Sequence, residues 1–272
     1  MIEPDRWIVL GSGTLEFQPE RGPSCHLLHA GGERILVDSG PGCLQRLARR
    51  GLDSNAIAAV VHSHLHLDHL PDLFPLLFHA LIGARTEPLL LAGAPGHRQR
   101  LEAMFAAIYP RLTDLPLSWL EQAPDELPRA LAGLDASLTA FPAEHSQHPR
   151  ILRFATEAWS VAYSGDTGPT PALARAAAGA DWLVVECTAP DDVPRGRHLS
   201  PRSVARAVLA ARPKAVALVH LSPLWATPEH AASAVREHLR GVDIPVFGAR
   251  DGSVLPLPYS HSMVPGGLLE MS

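Results

Sequence analysis

The chain has 272 residues, of which 46% are hydrophobic, and this is enough apolar material for one large core. Its 23 basic and 28 acidic residues give a formal net charge of −5, which predicts no general attraction to nucleic acid or to an anionic membrane. No apolar run has the length of a membrane span and the first residues lack the order of a signal peptide, so we expect a cytoplasmic protein whose cysteines, Cys25, Cys43 and Cys187, are free thiols.

Short apolar runs bounded by turn residues predict a series of strands in the first half of the chain. These predicted strands cover residues 7–10, 26–29, 34–38, 57–61 and 89–91. Helical spacing of apolar residues predicts helices over residues 43–51, 70–83 and 96–109. Prolines interrupt residues 115–133, which we interpret as a short strand followed by a loop.

The second half repeats the alternation of strands and helices. Its predicted strands cover residues 138–141, 151–154, 159–163, 182–186, 215–219, 244–247 and 253–255, and its predicted helices cover 171–179, 200–211 and 228–240. Because this order recurs in both halves with no linker between them, we expect one domain over residues 1–272, with an α/β layered core and helices on both outer faces. Composition alone does not separate a doubly wound sheet from a sandwich. The tail from residue 256 has little periodicity, and we expect it to be loosely ordered.

The densest cluster of ligand-type side chains directly follows the predicted strand at 57–61. His64, His66, Asp68 and His69 lie within six residues, and neutral imidazole and carboxylate are ligands that zinc, iron and manganese accept. In an extended segment His64 and His66 point the same way, and Asp68 and His69 follow where the chain turns toward a helix. One loop could therefore supply two neighbouring metal positions. The alternative is a solvated, histidine-rich surface turn.

Three further candidate ligands, His145, Asp166 and His220, also follow predicted strands. Metal ligands must converge from chain segments that meet in space, so this shared placement favours a single site. His148 is a rival to His145, which is otherwise a surface histidine. For Asp166 the alternative is a turn residue, and for His220 a core histidine.

The run from His64 to His69 resembles the HxHxDH signature of the metallo-β-lactamase fold, and the resemblance covers nearly the whole chain. The branch it resembles most is the ribonuclease Z and phosphodiesterase group. Further segments that match the order of that group are residues 10–14, 36–40, 143–146, 163–167, 186–188, 198–200 and 219–222. The resemblance implies an αββα sandwich, with the metal site where the two sheets meet.

The resemblance also implies two divalent metal ions, for which zinc is favoured and manganese or iron also fit. The implied ligands of the first ion are His64, His66 and His145, those of the second are Asp68, His69 and His220, and Asp166 bridges both. An aspartate at position 38 would accept a hydrogen bond from a ligand histidine and so fix the tautomer of its imidazole. The alternative for Asp38 is a cap for the helix at 43–51.

A glutamate and a histidine form a proton-donating dyad in the ribonuclease Z group, and Glu186 and His198 match them. A carboxylate beside a histidine raises its pKa and orients it, which suits a general acid. With Asp68, this pair makes up the catalytic candidates. The alternative for the dyad is a solvated loop, because residues 190–197 are strongly polar.

The chain departs from ribonuclease Z at several points. Leu67 replaces the usual glycine and gives a run similar to the HxHLDH signature of class II cyclic nucleotide phosphodiesterases, although Asp72 stands where that signature has a small residue. The interval between His145 and Asp166 is too short for a flexible tRNA-binding arm, and residues 223–225 replace the arginine and tyrosine expected after the last ligand.

These departures favour hydrolysis of a small phosphodiester over tRNA processing. We expect a small-molecule substrate, no membrane partner, and an assembly that could be a homodimer. Alternatives on the same fold are hydrolysis of a lactone, thioester or carboxylic ester, and iron-dependent oxygen or sulfur redox chemistry. A metal-bound module without catalysis is a further alternative, against which the full ligand set argues.

Overall fold

A computed structural model of the chain describes residues 3–131, 136–145, 148–193, 196–260 and 269–270. Ser146 and most of the tail expected to be irregular lie outside these ranges. The helices are α1 (Cys43–Arg49), α2 (Leu73–Ile82), α3 (His97–Ile108), α4 (Pro171–Ala177), α5 (Pro201–Ala211) and α6 (Pro228–His238), with short 3-10 turns at Ser54–Ala56 and Pro110–Asp114. None of the helices in these ranges combines the length and apolarity needed to cross a membrane.

The strands form two sheets. The first half contributes β1 (Arg6–Gly11), β2 (Cys25–Ala30), β3 (Glu33–Ser39), β4 (Ala59–Val61), β5 (Leu89–Gly93), β6 (Leu117–Glu121) and β7 (Arg129–Ala130). The second half contributes β8 (Ser137–Pro142), β9 (Arg150–Ala155), β10 (Ser160–Tyr163), β11 (Trp182–Glu186), β12 (Ala215–Val219), β13 (Val246–Gly248), β14 (Ser253–Pro256) and β15 (Leu269–Glu270). One sheet has the order β15-β14-β1-β2-β3-β4-β5-β6, and the other has the order β13-β12-β11-β10-β9-β8-β7. Two of the shortest strands, β7 and β15, are not predicted from the sequence as strands of their own.

Alternating side chains along each strand divide the core into layers. In β1, Trp7 and Val9 join the core between the sheets, while Ile8 and Leu10 join the core beneath α1 and α2. On the other sheet, the outward-facing apolar side chains pack against α4, α5 and α6. Both faces of each sheet are thus covered, which explains the continuous apolar runs of strands such as β11. The expected αββα sandwich is confirmed.

The carboxyl ends of several strands open on one edge of the sandwich. Strands β3 to β6 are parallel in the first sheet, and β10 to β13 are parallel in the second. Strand β8 shares their direction because it pairs antiparallel with β9, which pairs antiparallel with β10. In open α/β sheets such an edge is the usual place for a binding site.

The expectation of free thiols is wrong for two of the cysteines. Cys25 at the start of β2 and Cys43 at the start of α1 are joined as a disulfide, with Cα atoms 5.9 Å apart. They are 18 residues apart in sequence, but the pairing of β2 with β3 and the tight turn into α1 bring them together. Cys187 is the free cysteine of the described residues, and it is buried.

Candidate metal centre

The loop after β4 is held firmly against the end of β3. The backbone N–H of Ser39 donates to the carbonyl of His69 at 2.6 Å, and that of Asp72 donates to the carbonyl of Ser39 at 2.9 Å. Gly40 packs so closely that a Cβ there would overlap the carbonyl oxygen of Asp68. The sequence HLHLDH therefore folds as a rigid loop whose side chains are fixed relative to both sheets.

One group of side chains brings together His64, His66, His145 and Asp166. One ligand atom from each lies within 4.8 Å of the ligand atoms of the others. Nδ1 of His66 is 3.2 Å from Nε2 of His145. Oδ2 of Asp166 lies 3.8 Å from Nε2 of His64 and 3.7 Å from Nε2 of His145.

A second group, adjacent to the first, consists of Asp68, His69, Asp166 and His220. Nε2 of His220 lies 3.2 Å from Oδ2 of Asp68 and 3.4 Å from Oδ2 of Asp166. Nε2 of His69 lies 3.3 Å from Oδ1 of Asp166. Asp166 thus belongs to both groups, and all seven side chains singled out in the sequence meet at one place.

Other histidines considered from the sequence lie apart. Among the described residues, His26, His29, His62 and His148 take part in none of these groups. His26 and His29 are buried on β2, and His62 bonds the hydroxyl of Ser39 at 3.0 Å through Nε2.

Hydrogen bonds behind the site fix two imidazoles in the same tautomer. Nδ1–H of His69 donates to Oδ2 of Asp38 at 2.7 Å. The hydroxyl of Ser63 donates to the same carboxylate at 2.8 Å, so it accepts from Nδ1–H of His64 at 3.0 Å. Both rings therefore point Nε2 toward Asp166, where it can bind a metal once it carries no proton.

Asp38 takes this position because β3 bulges at that residue. Its neighbours pair with β2, but Asp38 itself has no partner there and adopts a φ of 55°. Its carboxylate also accepts from the N–H of Ser63 at 2.7 Å and the hydroxyl of Tyr163 at 2.8 Å. Burial alone would raise the pKa of Asp38. The charge of His69 and the hydrogen bond from its ring outweigh burial and hold that pKa well below the usual range. Asp72 instead provides the side-chain contact at the start of α1, accepting from the N–H of Leu44 at 3.0 Å.

Three buried atoms at the centre lack hydrogen-bond partners among the described residues: Nε2 of His64, Nε2 of His69 and Oδ1 of Asp166. A buried polar atom left unsatisfied costs about 1–3 kcal/mol. All three belong to the two ligand groups, so cations held by these groups would satisfy them. The donor set therefore fits a divalent metal ion.

The charges at the centre also favour a cation. Burial raises the pKa of Asp68, but the hydrogen bond from His220 and the charge of His69 bring it down to about 2. Burial likewise opposes ionisation of Asp166, yet the surrounding histidines hold its pKa well below the ordinary value. Burial lowers the pKa of His64 to about 3, so this imidazole is neutral at pH 7. Burial lowers the pKa values of His69 and His220, but nearby carboxylates, Asp166 foremost, raise both above the ordinary value. The ionised carboxylates therefore favour positive charge at this centre, and a cation would displace the protons of these two imidazoles.

Glu186 and His198 meet at the edge of the second group. Nδ1 of His198 lies 3.1 Å from Oε2 of Glu186, and the His198 ring stacks on His220 with centroids 5.4 Å apart. Burial lowers the His198 pKa, but the hydrogen bond and charge of Glu186 outweigh this and raise it to about 9. His198 therefore carries a proton that it could donate.

A third convergence of ligand-type atoms, from Glu186, His198 and His220, is better explained by hydrogen bonding. The Glu186 carboxylate is fully buried and accepts from the N–H groups of Thr167 at 2.6 Å and Leu199 at 3.1 Å, in addition to His198. With its lone pairs committed to these donors, it has little capacity left for a metal. Its burial is also inconsistent with a solvated loop at this position.

Sequence reasoning missed three supporting side chains, Ser63, Tyr163 and Thr188. Ser63 and Thr188 stand beside recognised motif residues, so their proximity in sequence is a usable signal. Tyr163 reaches Asp38 across 125 residues of sequence and from the other sheet, and no local pattern indicates that contact.

Residues 33–221 match a family profile described as a beta-lactamase superfamily domain. The chain is 31% identical over 190 residues to the ribonuclease Z of Mycobacterium sp. (strain KMS), and the match covers 65% of this chain and 66% of that protein, just under two thirds of its length. The fold is similar to that of the metallo-beta-lactamase fold protein YhfI from Bacillus subtilis, with a TM-score of 0.78, 22% identity, and coverage of 93% of this chain and 98% of that one. It is also similar to a diphosphatase from the PhnP family, with a TM-score of 0.70, 20% identity, and coverage of 93% and 98%.

Proposed function

This chain belongs to the beta-lactamase superfamily, and we propose that it is a metal-dependent hydrolase that uses two divalent cations to cleave a small phosphodiester. The resemblance to the metallo-β-lactamase fold drawn from its motifs is confirmed. The observation that carries the proposal is the position of Asp166, whose carboxylate is shared by two complete groups of ligand-type side chains.

The two groups assign the proposed ligands. His64, His66 and His145 would hold one cation, Asp68, His69 and His220 the other, and Asp166 would contact both. When bound, two neighbouring cations supply an activated water and neutralise the charge of a phosphoryl group. Zinc suits this set of imidazoles and carboxylates, and manganese or iron accept the same ligands.

Side chains at and around the metal site would orient the attacking water and supply a proton. Asp68, which lies 14% exposed at the mouth of the site, would orient the attacking water as well as bind. His198 would donate its proton to the oxygen that leaves, and the buried Glu186 would orient the ring and stabilise its charge. The leaving oxygen of an alkyl phosphodiester is a poorly stabilised alkoxide, and a dedicated proton donor suits it.

A small substrate agrees better with this chain than tRNA does. Between His145 and Asp166, the hairpin of β9 and β10 occupies most of the interval and lies within the second sheet. It leaves no inserted arm among the described residues of that interval. The net charge of −5 also provides no general attraction to a polyanion.

The proposal is tested with bis-p-nitrophenyl phosphate and a panel of lactones and thioesters, assayed on the same purified protein. We expect metal-dependent turnover of the phosphodiester and little turnover of the carboxylic esters. His66→Ala should abolish turnover. His148→Asn, which changes a histidine outside both ligand groups to a residue that tolerates its φ of 57°, should retain it. Turnover of lactones with no cleavage of the phosphodiester would reject the proposed substrate class.

A further inference from the structure

A cavity of about 310 Å³ borders His198 and lies against the first turns of α5. The residues that line it include Ser200, Arg202, Ser203 and Arg206. Because His198 is the proposed donor of a proton to the leaving group, a cavity beside it is where that leaving group would extend. The chemistry of its wall therefore bears on what the leaving group carries.

Arg202 and Arg206 are one helical turn apart and both are exposed. Like charges at this spacing repel each other weakly, and an anion bound between them would relieve that repulsion. Within the part of the chain that the structure describes, neither guanidinium has a carboxylate at ion-pair distance. Some other exposed arginines do have such partners, as in the pairs Arg98–Glu102 and Arg175–Asp125.

Asp191 also borders the cavity, but its oxygens are already occupied. Oδ1 accepts from the backbone N–H of Arg202 at 3.0 Å, and Oδ2 lies 2.7 Å from Nε2 of His238. Its negative charge offsets only one of the two guanidinium groups, so the residues that line the cavity keep an excess of positive charge.

We propose that this arginine cleft, formed by Arg202 and Arg206 beside His198, binds a second phosphate group carried by the leaving group of the substrate. The proposal rests on the proposed function, and it narrows the substrate to a phosphodiester with an additional phosphomonoester on the leaving side. Guanidinium groups match the geometry of phosphate oxygens and bind them through two parallel hydrogen bonds. The metal centre would then hold the phosphodiester while the arginine cleft holds the second phosphate.

The direct test is calorimetric binding of thymidine 3′,5′-bisphosphate to the metal-loaded protein. The variants are Arg202→Gln/Arg206→Gln, each of the two single changes, and Arg212→Gln, which matches a single change by removing one arginine charge at the end of the same helix outside the cleft. We expect the double variant to bind at least about 10-fold more weakly, because charge-assisted hydrogen bonds to phosphate are lost, and Arg212→Gln to bind like the wild type. Equal affinity of the double variant and the wild type would overturn the proposal. If the double variant fails to fold, the two single variants are held to the same criterion.

Measurements of turnover distinguish a failure of the arginine-cleft proposal from a failure of the proposed function. Thymidylyl-(3′→5′)-thymidine is compared with its 5′-phosphorylated and 3′-phosphorylated forms, so that either ester oxygen can be the leaving one. We expect one phosphorylated form to have a kcat/KM at least about 10-fold higher in the wild type, and this preference to disappear in the double variant. Turnover without a preference would overturn the arginine cleft and leave the hydrolase standing. No cleavage of any diester would overturn the proposed function, and the binding measurement would still decide on the cleft.

Discussion

Glu186 and His220 are joined through one hydroxyl group: Oγ1 of Thr188 lies 2.6 Å from Oε2 of Glu186 and 3.0 Å from Nδ1 of His220. Because an ionised carboxylate only accepts, Thr188 donates to Glu186, and Nδ1–H of His220 donates to Thr188. The same carboxylate bonds Nδ1 of His198. One buried glutamate therefore orients both a proposed metal ligand and the proposed acid.

Replacing Thr188 with valine removes that hydroxyl and keeps the shape of the side chain. We expect a loss of about 10- to 100-fold in affinity for one of the two metal ions, because the tautomer of His220 is no longer fixed. The measurement is a metal titration against a chromophoric chelator. Thr188→Ser, which retains the hydroxyl, is the control and should bind metal like the wild type. Unchanged affinity in Thr188→Val would show that the hydroxyl has no part in orienting His220.

Replacing His198 with alanine should slow cleavage in proportion to how much the leaving oxygen needs a proton. We expect kcat for thymidylyl-(3′→5′)-thymidine to fall about 10²- to 10⁴-fold, and kcat for bis-p-nitrophenyl phosphate to fall much less, since nitrophenolate leaves without protonation. The metal content should not change, because His198 is not assigned as a ligand. An equal loss on both substrates, or no loss on either, would remove His198 from the role of general acid.

Asp38→Asn tests whether the carboxylate of Asp38 orients His64 and His69 for metal binding. Asparagine tolerates the positive φ at this position, so the backbone can be retained while the carboxylate that accepts from His69 and Ser63 is lost. We expect metal affinity to fall by about 10- to 100-fold in the same chelator titration. Tyr163→Phe removes only one donor to Asp38 and should have a smaller effect. A folded Asp38→Asn protein with full metal affinity would contradict this account of Asp38.

Local sequence patterns predicted the strands that end at the site and the side chains that follow them. His64 and His220 could be found this way because each follows a short apolar run, and such runs become buried strands whose ends meet at one edge of the sandwich. The grouping of the ligands into two sets came from the resemblance to a family and not from spacing.

Contacts between distant segments could not be predicted from those patterns. The disulfide between Cys25 and Cys43 depends on a strand pairing and a turn, and an odd number of cysteines gave no indication of it. Asp72 occupies the position at the start of α1 that seemed open to Asp38, because the loop after β4 folds back over that helix. In each case the contact joins residues that a local periodic pattern in the sequence cannot relate to each other.

The buried histidines His26 and His97 should make the metal-free protein less stable in mild acid. Burial lowers the pKa of His26 to about 3 and that of His97 to about 2. Below about pH 6.5 the unfolded chain binds protons at both residues and the folded chain does not, so the free energy of unfolding falls as the pH falls.

The dependence of the free energy of unfolding on pH is measured between about pH 6.5 and 4.5. A chelator is present so that metal release does not contribute. Each of the two histidines should lower the free energy of unfolding by up to about 1.4 kcal/mol per pH unit. Denaturant unfolding of His97→Leu should give a shallower dependence on pH than the wild type. Identical slopes for the two proteins would mean that His97 is protonated in the folded state.

The central claim is that Asp166 is shared by two cations at once. Elemental analysis of the purified protein, with the protein concentration measured independently, tests this most directly. We expect about two equivalents of divalent metal per chain, most of it zinc or manganese. About one equivalent of iron with no second metal would contradict it and favour redox chemistry at a single ion.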